Sequence, residues 1–478
     1  MANKTKFGPT RHALCSCIVL LLIGAGLCLN AVSSQAQTFT KLLDFPISSL
    51  GEPLLAELVQ GSDGNFWGTT SGFNGSIFKM TPRGGLTTVY TDSTGQTRFP
   101  WGRLTLAPDG NFYGVSPLSG PSGLGSIFRI SPGGTYTDIH DFSGPDGAYP
   151  HGDMVVGWDN QIYGTTDGGG NPSCGGAGCG TVFKISLNGS FATVYSFDNT
   201  HGSAPLDNPI LGRDGNFYGT TSAGGAHLSG AIYRLTPAGK ITVLHSFGGP
   251  DGSTPWAKLV QGSDGKLYGS TPVAGAYGWG TIFSITPRGA FATIYNFTGG
   301  SDGSQVLAPI VQGTDGNLYG TNWANGDSPG CSPLCGVLFQ ITHQGKLTVL
   351  HSFSESDGGG MNNSVVQGTD GKFYGTTSAC GSAGCGVGFG TAYTFDMGFG
   401  PLVTLPVSHG RVGFAVQILG SSLKGTTHVT FHGTSASFKV HSQFSMTATV
   451  PAGATSGPVV VSTPTGTLTS NSSFEVVP

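Results

Sequence analysis

Charge is what this chain has least of. Only 10% of its 478 residues are Asp, Glu, Lys or Arg, and no basic cluster occurs anywhere. Such a surface is poorly suited to neutralise a phosphate backbone or hold anionic lipid, so nucleic acid is not expected as a partner and an anionic membrane is a poor one. Long apolar runs are equally scarce: there is one, Ala13 to Leu29, and no second. Catalytic signatures are missing as well. The sequence has no GxSxG, no HExxH, no Ser-His-Asp spacing and no glycine-rich phosphate loop after a strand. No cofactor and no metal is therefore expected.

The single apolar run follows Lys4, Lys6 and Arg11 and precedes "SSQAQ" (Ser33 to Gln37), with a small-x-small cleavage point after Ala36. This three-part layout reads as a secretory signal peptide over residues 1–36. The alternative is an uncleaved anchor, for which the run lies at the short end of the roughly 17–25 residues a span needs. A lipoprotein is disfavoured because Leu27 stands where a small residue should precede Cys28. Cleavage leaves 18 Lys and Arg against 25 Asp and Glu, and no membrane span. The expected localisation is exported: periplasmic, cell-surface or extracellular.

What the chain does have is glycine and proline, 82 and 28 of them, recurring at fixed offsets beside aromatic and β-branched residues. The stretch "DGNFYGTT" from Asp214 has near-copies starting at Asp63, Asp109, Asp159, Asp264, Asp315 and Asp370, 46 to 55 residues apart. A period of that length marks a propeller, a solenoid or an array. Each period holds four strand-like pieces. An apolar run such as "KLVQG" comes first, then the "NFYGTT" piece. A third piece such as "GTIFSITP" and a fourth such as "LTVLHSF" follow. Asp-Gly turns join pieces one and two, and Pro-x-Gly turns join three and four.

The seventh period stops after its third piece, "GTAYTFD" from Gly390, whereas the chain after the signal begins with an orphan fourth piece, "TFTKLLDF" from Thr38 to Phe45. A ring explains both ends, because the N-terminal strand then completes the last unit and buries two open edges. The expectation is an all-β fold: a seven-bladed β-propeller of four-stranded blades over residues 38–397. After Met397 the period ends. Short alternating runs from Val412 and Met446, separated by Gly, Pro and Ser turns, predict an immunoglobulin-like β-sandwich over 398–478.

The pieces "LVQGSDGNFWGTT", "GTIFSITPRG" and "LTVLHSF" resemble the GloVer-type tandem repeat of bacterial exported proteins in all seven copies. That resemblance implies an architecture and no activity. The DG-aromatic and "ITP-x-G" pieces are also similar to streptogramin lyase propellers and, more faintly, to kelch repeats. The lyase-like pattern has an acid after its aromatic-x-Thr run, where this chain has Thr or Ser. The C-terminal segment resembles an IPT/TIG domain, a module that implies spacing or binding.

Strand parity puts the two-to-three and four-to-one links on one face, with all the length variation, and the tight turns on the other. Binding residues favour variable loops on a rigid scaffold, so any site is expected on the first face. Six cysteines lie there as close pairs, Cys174/Cys179, Cys331/Cys335 and Cys380/Cys385, which read as local disulfides in an exported protein. The alternative is a zinc site from the last two pairs. His140, His245 and His351 share an outer-strand slot with Tyr90, Tyr195 and Tyr295, which marks a packing position. Asp146, Asp251, Asp302 and Asp357 in the following links are candidates for a cation site or for Asx turns.

The mouth end of the innermost strand is the most informative position. Six residues before each turn Asp stand Glu57, Arg103, Asp153, Asn208, Lys258, Pro309 and Ser364. Two residues earlier stand Leu55, Trp101, His151, Leu206, Trp256, Leu307 and Asn362. One reading is a polar, aromatic-rimmed axial pocket, with Glu57, Trp101, Arg103, His151, Asp153, Trp256 and Lys258 as ligand-binding candidates. The other is that Glu57, Arg103 and Asp153 pair around the ring and the tryptophans pack between blades. The expected function is a non-catalytic exported binding protein, its partner a glycan, a peptide or another envelope or extracellular protein. The alternative is a lyase or hydrolase with Glu57, Asp153 and His151 as acid-base groups.

Overall fold

The computed structural model describes residues 37–46, 57–70, 75–92, 100–324, 335–385 and 390–478. Residues 1–36, where a signal peptide is expected, Leu55 and Cys331 lie outside the described residues. Each repeat folds as one antiparallel four-stranded sheet, and there are seven. Sheets one to six run over residues 59–91, 101–141, 148–196, 210–246, 260–296 and 311–352. Sheet seven takes three strands from 366–396 and its fourth from Thr38–Asp44, which pairs antiparallel with Thr391–Asp396. Hydrogen bonds join each sheet to the next, and Thr369 N–H to Gln60 Oε1 at 3.0 Å joins the seventh to the first. The fold is all-β and propeller-like.

The repeated "DGNFYG" is explained by one carboxylate per turn. In sheet four Asp214 Oδ1 accepts Asn216 N–H at 3.1 Å. Its Oδ2 accepts the Asn216 side-chain amide at 2.8 Å and the Tyr218 hydroxyl at 2.7 Å. The tyrosine bond recurs in sheets two to seven. In sheet one Trp67 takes that place, and its indole N–H has no partner. Second strands are buried, with Asp167 of sheet three the partly exposed exception among them. The glutamine of "VQG" links neighbours: Gln312 Oε1 accepts Ser263 N–H of sheet five at 2.9 Å, and its amide donates to Gly316 O at 2.8 Å.

The outer strands carry a second device. His140, His245 and His351 stack on Phe191, Phe291 and Phe39 of the next sheet at 3.7–3.8 Å between centroids. These histidines therefore pack, as their exchange with tyrosine implies. They also contact Asp146, Asp251 and Asp357 at 3.0, 2.6 and 2.8 Å, a pairing the sequence reading did not make. Each of these aspartates also caps its link, Asp251 for instance accepting Gly248 N–H. Asp302 does the same with Tyr295 and Thr298. Their oxygens are spent on turns, and among the described residues no group of three or more His, Cys, Asp or Glu is placed to hold a metal.

Residues 409–476 form two further sheets, of five and three strands, around one core that includes Val416, Ile418, Val429, Phe431, Met446 and Val461. This C-terminal module covers the face of the tight turns. Phe444 lies on Gly64 of sheet one, Leu419 packs with Leu106 of sheet two, and Val407 packs with Val156 of sheet three. His409 Nε2 meets Gly157 O at 3.0 Å, and Arg213 of sheet four pairs with Glu475 at 3.4 Å. Burial, only partly offset by Gly157 O and Asp159, lowers the pKa of His409. No helix among the described residues is long and apolar enough to cross a membrane.

Candidate functional site at the open end of the axis

On the face opposite the module, the links that follow strands two and four are tied together. Short bridges such as Ser203 with Ala223 and Ser253 with Val273 join them. Hydroxyls at the ends of the second strands reach the next sheet: Thr69 to Gly102 O at 2.8 Å, Thr165 to Asp207 O at 3.2 Å, Thr321 to Asn363 O at 3.0 Å. These bonds hold the mouth segments of the inner strands in place.

Two sheets depart from the common pattern here. Their inner strands, Trp101–Leu106 and Ala148–Val156, run on where the other inner strands are two residues long. Each is bulged, between Trp101 and Thr105 and between His151 and Val155. A bulge re-aims side chains, and it needs unusual backbone. Gly102 at φ +82° and Gly152 at φ +68° supply it. A Cβ on Gly152 would stand 2.3 Å from Asp207 Oδ1, so the sheet three and sheet four segments touch only because glycine is there.

The result is an axial cavity of about 550 Å³. Glu57, Trp101, Arg103, His151, Asp153 and Trp256 all line it. Lys258, the seventh candidate, lies directly below, its ammonium 2.7 Å from Asp153 Oδ1. Trp256 is 42% exposed, and Trp101 meets His151 edge-on at 5.7 Å. Neither tryptophan is wedged out of reach between sheets. The anticipated ring of pairs among Glu57, Arg103 and Asp153 is corrected: Asp153 pairs with Lys258, two sheets away. Among the described residues Arg103 makes no ion pair with either acid and acts on Glu57 through space. Arg103, Asp153 and Lys258 also line a second cavity of about 610 Å³ that the C-terminal module closes, so this charged layer divides the axis.

Two lining residues went unrecognised in the sequence, Asp207 and Trp323. Asp207 accepts its neighbour Asn208 N–H at 2.7 Å and Lys258 N–H at 2.9 Å. Burial first, then the charges of Asp153 and Glu57, push its pKa well above the ordinary value, against the pull of Lys258. Burial and then Asp153 raise Glu57 to about 7, although Arg103, the Ser364 N–H and Lys258 favour its ionised form. Burial alone lowers His151 to about 4, which leaves it neutral at pH 7. The site thus holds three carboxyls, two cations, a neutral imidazole and three tryptophans.

Around it, Cys174–Cys179 and Cys380–Cys385 are disulfides. Cys335 is buried, and its expected partner Cys331 lies outside the described residues. The Cys380–Cys385 bond removes two thiolates that the zinc alternative needs. Where the lyase-like pattern has an acid, Thr166 and Thr271 are buried and bonded at 2.8 Å to Thr181 and Thr281. Those positions do structural work.

No curated protein matches the chain. Among solved structures it is similar to a streptogramin B lyase, at 17% identity and a TM-score of 0.52 over 75% of this chain and 97% of that one. It is likewise similar to virginiamycin B lyase from Staphylococcus aureus, at 17% identity and a TM-score of 0.51 over 75% and 99%. The extracellular domain of a hybrid two-component system from B. thetaiotaomicron covers 93% of this chain at 13% identity and a TM-score of 0.51, with 58% of that protein matched. At these identities the likeness is one of fold. The Gloeobacter/Verrucomicrobia repeat model matches residues 29–205 and 173–389. With the repeat, its seven sheets and that match together, the chain belongs to the Gloeobacter/Verrucomicrobia repeat family.

Proposed function

We propose that this is an exported binding protein, a seven-bladed propeller over 38–397 with an immunoglobulin-like module of the IPT/TIG type over 398–478. One observation carries the binding reading: three tryptophans and six polar or charged side chains converge on one open axial cavity. Aromatic faces in a concave, partly desolvated site are where ligand energy concentrates. The two disulfides in the links of that face support an oxidising destination and a signal peptide over 1–36. The two-sheet core of the C-terminal module supports the immunoglobulin-like reading.

The reading is tested by Trp101→Ala and Trp256→Ala. Both variants should lose retention on the glycan or peptide that an array selects for the parent, with melting almost unchanged. If each instead costs the roughly 3–5 kcal/mol of a core aromatic, and no ligand is found for the parent, the assignment falls.

A second reading, a lyase or hydrolase, is favoured by one feature: Glu57, held near pKa 7, shares the cavity with neutral His151 and with Asp153. An acid poised near the working pH suits general acid catalysis. Against it, Asp153 is already bridged by Lys258 and is no free base. Turnover that Glu57→Gln abolishes without loss of ligand affinity would establish the enzyme.

A further inference from the structure

The charges at the axis do not balance. Asp153 has the Lys258 ammonium at 2.7 Å. Glu57 has the Arg103 guanidinium as its nearest balancing group through space. The third carboxyl, Asp207, has only backbone hydrogen-bond partners among the described residues, Asn208 N–H and Lys258 N–H, and the Lys258 ammonium that acts on it through space is already bonded to Asp153. All three acids border the same cavity, with His151 the remaining titratable group there. The buried Tyr233 hydroxyl, on the strand behind Asp207, carries no charge to offset it. A second and independent observation is Asn362. Asn362 lines the cavity, and its Oδ1 is buried without a hydrogen-bond partner.

We propose that the axial cavity takes a small organic ammonium ligand. Its charge completes the three-carboxyl, two-cation floor at Asp207, and its carbon skeleton lies against Trp101, Trp256 and Trp323. An N–H of the same group would meet Asn362 Oδ1. This inference rests on the binding reading above and narrows it to one ligand class. The physical case has two parts. A buried surplus carboxylate is costly until a cation or a proton neutralises it. The upward shifts of Asp207 and Glu57 express the same preference for a neutralised carboxyl. Tryptophan faces attract a desolvated cation strongly and an uncharged group of the same shape much less.

The test uses the full exported chain and a matched pair of probes, cyclohexylmethylammonium and uncharged cyclohexylmethanol, titrated at pH 7 by calorimetry and tryptophan fluorescence. The ammonium should bind at least about tenfold more tightly than the alcohol. Asp207→Asn should bring the two to parity while the alcohol's affinity holds. If that variant does not fold, Glu57→Gln, which removes the adjacent acid, should narrow the preference. Equal binding of the two probes by the parent overturns the proposal without any variant. So does an ammonium preference that both substitutions leave intact. Retention of an uncharged glycan that depends on Trp256, with no ammonium preference, removes this inference and leaves the binding reading standing. Absence of any ligand, with both tryptophan variants destabilised, removes the binding reading itself.

Discussion

On the module-covered face, six of seven turns set a tyrosine hydroxyl on the aspartate four residues before it. On the open face, no two repeats carry the same pair of residues six and eight positions before that aspartate. Both ends belong to the same repeat, so the repeat fixes backbone at both and side chains at only one. The closed end spends its polar groups on each other: aspartate on tyrosine, glutamine on the next sheet, arginine on the module. The open end leaves a surplus carboxyl, an unfilled acceptor and an exposed indole. Structure accounts for the first set. The second is spare, and spare polar groups beside a cavity are where a ligand is to be sought.

The comparison breaks most severely if the ring is opened. Deleting Thr38 to Phe45 removes the fourth strand of sheet seven and the buried Phe45, and exposes His351, on which Phe39 stacks. Several apolar side chains at roughly 1.5–3 kcal/mol each should lower stability by more than about 5 kcal/mol. Melting equal to the intact form would show that the closing pair contributes nothing. Next comes the closed end. Leu419→Ala, at a side chain buried against Leu106, should cost about 2–5 kcal/mol and leave ligand retention intact for the folded fraction.

A smaller effect, on the order of 3 kcal/mol, should appear only with pH. Glu57 titrates near 7 when folded against an ordinary 4.5, so between those values the folded state holds the extra proton. Stability from this group is full below about pH 4.5 and is lost as pH rises through 7. The stability difference between Glu57→Gln and the parent should therefore grow in the variant's favour from pH 5 to pH 8. A flat difference curve would mean that the carboxyl is solvated. Smallest of all, Tyr268→Phe should cost about 1.5 kcal/mol, the net worth of one hydrogen bond to the Asp264 carboxylate, with no change in binding.

Much of this was legible because the repeat is its own alignment. Asp-Gly spacing located every turn, and the orphan piece at Thr38 located the closing strand. Columns six and eight before the turn aspartate picked out all seven candidates, and six of them line one cavity while Lys258 underlies it. Column seven was passed over, although it reads Ala56, Gly102, Gly152, Asp207, Ala257, Ala308 and Asn363. A lone acid in a column of small residues was the signal for Asp207. The bulges at Gly102 and Gly152 occur in two sheets only, have no period and could not be read. Trp323 lies in a variable link, where the repeat gives no register. The pairing of Asp153 with Lys258 escaped because it crosses the axis between sheets three and five, a distance set by closure and by nothing local.

Closure by the N-terminal strand also sets a schedule. Thr38 pairs with Asp396, so the first strand to be made finds its partner only after more than three hundred further residues exist. At roughly 5–20 residues per second, synthesis alone imposes a delay of about 20–70 s. Through that interval Phe39, Leu42, Leu43 and Phe45 have no sheet to join, while sheets one to six can already form from neighbouring sequence. The ring is therefore assembled in order and locked out of order, and the unsheltered segment is the earliest of the described strands.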